Sequence, residues 1–210
     1  MLLSKKSLKS CKLYLILDTE VHSFDKLFCI AQQSIPAGVD IIQLRDKNGL
    51  AKDILEFSKR ILKLTRNKIP FIINDRVDLA MMAGANGVHL GQDDIPLKVA
   101  RRMMGAKAII GVSCQTFEHA KKAEREGADY IGFGSVFKTL TKPQRDPMDL
   151  NLLKKVINEI RVPLFAIGGI NLSNIRELSD IGVRRFAICR AISEMENVGA
   201  TIKCFRKVIE

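Results

Sequence analysis

Ala37-Gly38-Val39-Asp40, Ala83-Gly84-Ala85-Asn86-Gly87-Val88 and Glu126-Gly127-Ala128-Asp129 are one phrase written three times. Each places a glycine where a helix stops and a small or polar residue before the next apolar run. Outward from these joints, short apolar runs alternate with amphipathic stretches along the whole chain. Strands are expected at 13–17, 39–44, 71–73, 88–90, 109–112, 130–133, 164–167 and 185–188. Helices are expected at 24–34, 50–64, 77–82, from Pro96 to Gly105, and at 117–126, 150–160, 173–179 and 200–208. Eight such units with parallel-sheet run lengths and no linker predict an α/β chain, a single (β/α)8 TIM barrel over residues 13–210. An open doubly wound sheet would want a glycine-rich turn after the first strand, where Asp18-Thr19-Glu20 stands.

Composition narrows the class. Of 210 residues, 47% are hydrophobic, enough for a sizeable core. A formal net charge of +11 points to anionic partners. Aromatics make up only 6%, tryptophan is absent and the charge is spread along the chain, so substrate phosphates explain it without nucleic acid. The five cysteines are scattered with no C-x-x-C, which indicates neither a disulfide framework nor a zinc site and predicts a reducing cytoplasm. Residues 1–12 are rich in Lys and Ser, lack a signal-peptide core and are expected to form a basic tail. No apolar run is long enough to span a membrane.

Barrels of this kind carry their chemistry at the C-terminal strand ends, and those ends are polar here. Gln43, Arg45 and Lys47 fall at i, i+2 and i+4, so an extended chain points all three one way. A fork of donors and a point charge suit an oxyanion; the alternative is a strand end fraying into a solvated loop. Asp75 and Asp94 follow neighbouring strands. Two carboxylates beside two cations are reconciled by Mg²⁺, which takes one or two protein carboxylates plus water and phosphate oxygens. Helix capping is the alternative for Asp75 and for Asp93-Asp94 before Pro96. Gly168-Gly169 would offer backbone amides as an anion nest, or merely a left-handed turn. His89 reads as a packed, hydrogen-bonded histidine, and neither Cys114 nor Cys189 has a partner marking it as a nucleophile.

Taken together, Gln43-Leu44-Arg45-Asp46-Lys47, Asn74-Asp75, His89-Leu90-Gly91-Gln92-Asp93-Asp94, Gly111-Val112-Ser113, Thr139-Leu140-Thr141-Lys142 and Ile167-Gly168-Gly169-Ile170 resemble thiamine phosphate synthases, in that family's order. The resemblance implies a transferase that joins hydroxymethylpyrimidine pyrophosphate to a phosphorylated thiazole, plain or carboxylated, and releases pyrophosphate. It implies that Gln43, Leu44, Arg45, Asp46, Lys47, Asn74, Ser113 and Lys142 hold the pyrimidine pyrophosphate. Asp75 and Asp94 would bind Mg²⁺. Thr139, Leu140, Thr141, Gly169, Cys189 and Arg190 would hold the thiazole phosphate. The expected partners are two phosphorylated small molecules, with no nucleic acid and no membrane, and a homodimer is left open. The chain departs from the family in carrying Arg190 for the usual Ser and Met148-Asp149 for a usual Gly. A thiazole tautomerase of the same fold ranks below the synthase, because that branch loses the Asn-Asp pair and places His where Ser135 stands. A basic nucleic-acid-binding protein would need aromatic-basic interleaving, which is missing.

Overall fold

The computed structural model describes residues 8–66, 68–141 and 146–210. Eight parallel strands close into a barrel in chain order, β1 pairing with both β2 and β8. They are β1 (Leu13–Asp18), β2 (Ile41–Arg45), β3 (Phe71–Asn74), β4 (Gly87–Leu90), β5 (Ile109–Cys114), β6 (Tyr130–Phe133), β7 (Leu164–Ile167) and β8 (Phe186–Ile188). Between them lie α1 (Phe24–Ala37), α2 (Ala51–Thr65), α3 (Val77–Ala83), α4 (Leu97–Met104), α5 (Phe117–Glu126), α6 (Leu150–Glu159) and α7 (Ile175–Asp180). A short α8 (Arg190–Ser193) and α9 (Val198–Ile209) end the chain.

The recurring glycines do what the phrase predicts. Gly38, Gly84 and Gly127 cap α1, α3 and α5 in the left-handed conformation. Helix α1 runs to Ala37 rather than stopping at 34. Pro36 in its last turn removes one backbone donor, and Gly38 still closes the helix by donating to Ile35 and Ser34. Helix α8 was not expected from the sequence.

Period-two alternation sorts the strands into two apolar layers. Leu13, Leu15, Leu17, Ile42 and Leu44 pack outward against the helices. Tyr14, Ile16, Ile41, Ile72, Ile109, Tyr130 and Phe165 fill the barrel interior. Leu8 and Cys11 belong to that inner cluster and are buried. Of the basic tail expected over 1–12, residues 1–7 lie outside the described residues, and Lys9 and Ser10 are exposed beside the buried Leu8 and Cys11. No helix among the described residues is long and apolar enough to cross a membrane.

Candidate active site

The inward positions grow more polar toward the strand ends: Ile41 to Gln43 to Arg45, Ile72 to Asn74, Ile109 through Gly111 to Ser113. They open into a cavity of about 310 Å³, within the range of small-molecule sites. Gln43, Arg45, Asn74 and Ser113 line one side. Thr139, Leu140 and Thr141 from the loop after β6, Gly169 after β7, and Cys189 and Arg190 after β8 line the other.

The floor is a chain of hydrogen bonds. Gln43 Nε2 donates to the Tyr14 hydroxyl at 2.7 Å. The Tyr14 and Tyr130 hydroxyls are 2.8 Å apart. Tyr130 meets His89 Nδ1 at 2.9 Å, and His89 Nε2 meets Ser113 Oγ at 2.8 Å. Burial raises both phenols above their ordinary pKa, so they stay protonated. Gly111 is required beneath Ser113, since a Cβ there would run into the Tyr130 ring.

Charge is paired at the mouth. Arg45 Nη1 donates to both carboxylate oxygens of Asp18 at 2.9 Å and to Glu20 Oε2 at 2.6 Å. Burial opposes the guanidinium charge, but the Glu20 hydrogen bond and the Asp18 and Glu20 charges outweigh it and raise its pKa. All three contacts fall on Nη1, and among the described residues no hydrogen bond takes Nε or Nη2. One edge of the guanidinium is anchored and the other is left for the cavity that Arg45 lines.

Asp75 is in the left-handed region at φ 62°, its N–H bonded to the His89 carbonyl at 2.8 Å. It does not cap α3, which has no side-chain cap. Its carboxylate instead pairs with Lys47 and is in hydrogen-bond contact with Asp94. Burial and the Asp94 contact outweigh Lys47, so its pKa is raised. Asp94 Oδ2 also accepts from the Gly91 N–H at 2.6 Å. Gly168 and Gly169 have φ of 106° and 65°. A side chain on Gly168 would strike Ser135, and one on Gly169 the Lys138 carbonyl, so glycine is needed at both.

Comparison with known proteins identifies the family. A family profile described as thiamine monophosphate synthase matches residues 13–192. The chain belongs to the thiamine monophosphate synthase family. It is 41% identical over 206 residues to the thiamine-phosphate synthase of Halalkalibacterium halodurans, covering 97% of each chain. The thiamine-phosphate synthase of Fusobacterium nucleatum is 40% identical over 178 residues, 84% of this chain and 86% of that one. Among solved structures, the thiamine phosphate pyrophosphorylase from Pyrococcus furiosus superposes with a TM-score of 0.86 at 34% identity, covering 98% of this chain and 96% of that one.

The site of this thiamine monophosphate synthase family member differs in detail from the expected one. Leu44, expected among the pyrimidine pyrophosphate-binding residues, has its side chain in the outer apolar layer, 1% exposed, because neighbours of inward residues point outward. Asp46, expected there too, has a carboxylate that accepts from the Asn48 and Gly49 N–H groups, folding the loop after β2. Lys47, Asp75 and Asp94 come together beside the central cavity rather than in its lining, because β2 ends at Arg45 and the chain turns before Lys47. Lys142 lies outside the described residues. Arg190 lines the cavity and is bonded to Glu194, one helical turn on, which lines it as well. Asp149 caps α6 by accepting from the Asn151 N–H at 2.8 Å.

Several residues went unassigned in the sequence. Asp18 and Glu20 hold Arg45, and Tyr14 and Tyr130 carry the floor. A signal existed for the tyrosines: they are the chain's only two, and both fall on inward strand positions. Asp18 is the register partner of Arg45 across the β1–β2 pair.

Proposed function

We propose that the protein condenses 4-amino-5-hydroxymethyl-2-methylpyrimidine pyrophosphate with hydroxyethylthiazole phosphate or its carboxylated form, giving thiamine phosphate and pyrophosphate. The observation that carries this reading is the convergence of Gln43, Arg45, Asn74, Ser113, Thr139, Thr141 and Gly169 on one cavity. The methylene carbon–oxygen bond breaks with its electron pair leaving on pyrophosphate, and the thiazole nitrogen forms the new bond to that carbon. The free edge of Arg45 meets the charge growing on the leaving group, where preorganised donors contribute most. Gln43 and Ser113 hold the pyrimidine over the floor. The Gly168-Gly169 turn, Thr139 and Thr141 hold the thiazole phosphate opposite, so that the nucleophile is already in place. No covalent enzyme intermediate is needed, in keeping with a Cys189 thiol that burial pushes up to about 12.

Mg²⁺ fits the donor set. Among the described residues no group of three or more His, Cys, Asp or Glu is placed to hold a metal on its own. Magnesium characteristically uses one or two carboxylates and completes its shell with water and phosphate. Asp75 and Asp94 are two such carboxylates, in contact and incompletely neutralised by Lys47. They would hold the ion, which when bound supplies charge neutralisation to the leaving pyrophosphate.

The test is direct. Purified protein with both phosphorylated precursors and Mg²⁺ should form thiamine phosphate and release one pyrophosphate per product. Omitting either precursor should stop it, and no product in the complete mixture would sink the reading. A cytoplasmic setting is consistent with five free cysteines. The homodimer is also proposed, with exposed Met81, Met82 and Met103 on adjacent α3 and α4 as its face; light scattering in solution decides it.

A further inference from the structure

With the Gln43 amide nitrogen toward Tyr14, the buried chain Gln43–Tyr14–Tyr130–His89–Ser113 can satisfy every member in only one direction. Gln43 Nε2 can only donate, so the Tyr14 oxygen accepts from it. If Tyr130 also donated to Tyr14, the Tyr14 proton would have no acceptor among the chain's members. Tyr14 therefore donates to Tyr130, and Tyr130 donates to His89 Nδ1. A ring nitrogen that accepts carries no proton, so the imidazole proton is on Nε2 and is donated to Ser113 Oγ. The Ser113 hydroxyl proton is then turned away from His89. At the other end, an amide whose nitrogen is committed to Tyr14 points its carbonyl oxygen elsewhere. Both Gln43 and Ser113 line the cavity.

We propose that Tyr14, Tyr130 and His89 are positioning residues that fix the hydrogen-bonding polarity of the cavity floor, so that Gln43 presents an acceptor and Ser113 a donor to the same ligand. The complement is a ring with an exocyclic N–H beside a ring-nitrogen acceptor, the amidine edge of an aminopyrimidine. This deepens the function proposed above and rests on it for the ligand's identity. The polarity also bears on rate. As the methylene carbon becomes positive, charge spreads onto the exocyclic amine, and a carbonyl oxygen held against its N–H binds that state more tightly than the ground state. A reversed amide would face the amine with its own N–H groups. The arrangement is buried and aromatic: Tyr14 and Tyr130 meet Phe165 edge-on with centroids 5.4 and 5.6 Å away.

The experiment reads the tautomer in the protein alone. Nitrogen-15 NMR of ring-labelled histidine should show His89 protonated on Nε2, with Nδ1 accepting a hydrogen bond. Tyr130→Phe deletes the donor to Nδ1 and should release that lock, shifting the Nδ1 resonance and admitting the second tautomer. Tyr14→Phe frees the Gln43 amide and should lower kcat on the order of tenfold, with a smaller change in the pyrimidine KM. The amide spectrum of each variant checks that the fold is intact. A His89 protonated on Nδ1, or a Tyr130→Phe variant with unchanged histidine shifts, overturns the proposal. So does a folded Tyr14→Phe variant with unaltered kcat. Failure of the wild-type protein to make thiamine phosphate would instead sink the proposed function and leave the tautomer result standing.

Discussion

Replacing Asp18 tests whether Arg45 is a placed cation or merely a nearby one. The Asp18 side chain is 0% exposed and that of Arg45 10%. Asp18→Ala removes two contacts of 2.9 Å to Nη1 and the acceptor for the Glu20 N–H at 3.0 Å. Removing one partner of a buried ion pair costs about 3–5 kcal/mol. Glu20 still reaches Nη1 from a side chain 43% exposed, which puts the expected cost near the lower end. The lost backbone bond adds about 1 kcal/mol. A total of roughly 4 kcal/mol in a domain of this size lowers Tm by about 8–16 °C. Asp18→Asn keeps the shape and one acceptor and should lose less. Thermal and urea unfolding read the stability, and calorimetric titration with pyrophosphate reads the site, where affinity should fall as the guanidinium loses its anchor. The decisive control is the double variant Asp18→Leu with Arg45→Met, which removes both charges and should be more stable than Asp18→Ala alone. A double variant whose losses simply add, or an Asp18→Ala protein melting within 2 °C or so of wild type, would refute the argument.

Three further outcomes are expected. The raised pKa of Asp75 means that its contribution to stability is complete below the unfolded-chain value and is lost as pH rises through the folded one. Asp75→Asn should therefore melt higher than the metal-free wild type at neutral pH, the gap closing below about pH 4, and Mg²⁺ should stabilise only the wild type; equal stabilisation of both by Mg²⁺ would dismiss the carboxylate pair as its site. Glu194→Gln should free Arg190 and lower the KM for the thiazole phosphate, Arg190→Ser should raise it, and the pyrimidine KM should stay put in steady-state assays of both; a thiazole KM that moves in neither variant leaves the pair purely structural. Of the five thiols, exposed Cys29 and Cys204 should react quickly with a disulfide reagent at neutral pH, while Cys11, Cys114 and Cys189, each pushed up to about 12 chiefly by burial, should react slowly.

The barrel was legible because its signals are local. Glycine at a helix end and alternation along a strand are set by a few adjacent residues, and they place Gln43 and Arg45 on the inward face as read. Lys47 obeys the same arithmetic but not the same geometry. Alternation holds only while the chain is extended, and β2 ends at Arg45. Leu44 and Asp46 entered the expected site through resemblance to a contiguous motif, and a contiguous motif necessarily includes residues on the opposite face and in the turn. Asp18 with Arg45 and Tyr14 with Tyr130 are meetings across 27 and 116 residues of chain. Finding them needs the strand register and the closure of the barrel, neither of which is written in local pattern. Arg190 with Glu194 is local, an i,i+4 pair that the sequence itself offers.

Three cations near the mouth are already engaged by carboxylates: Arg45 by Asp18 and Glu20, Lys47 by Asp75, and Arg190 by Glu194. A protein of net charge +11 has cations to spare, so these pairings are not forced by scarcity. They divide by burial. Asp18 is sealed in the barrel and cannot leave, so it acts as a fixed brace. Glu20 and Glu194 are each more than two-fifths exposed and can swing into water at small cost. On the proposed function, an arriving phosphate would compete with the second kind and be oriented by the first. An unpaired guanidinium would sample many rotamers before substrate bound, and ordering it would draw on binding energy. A weak carboxylate partner keeps the cation in place and yields to a stronger anion. The same physical requirement, charge held ready without being neutralised for good, explains both the buried brace and the exposed companions.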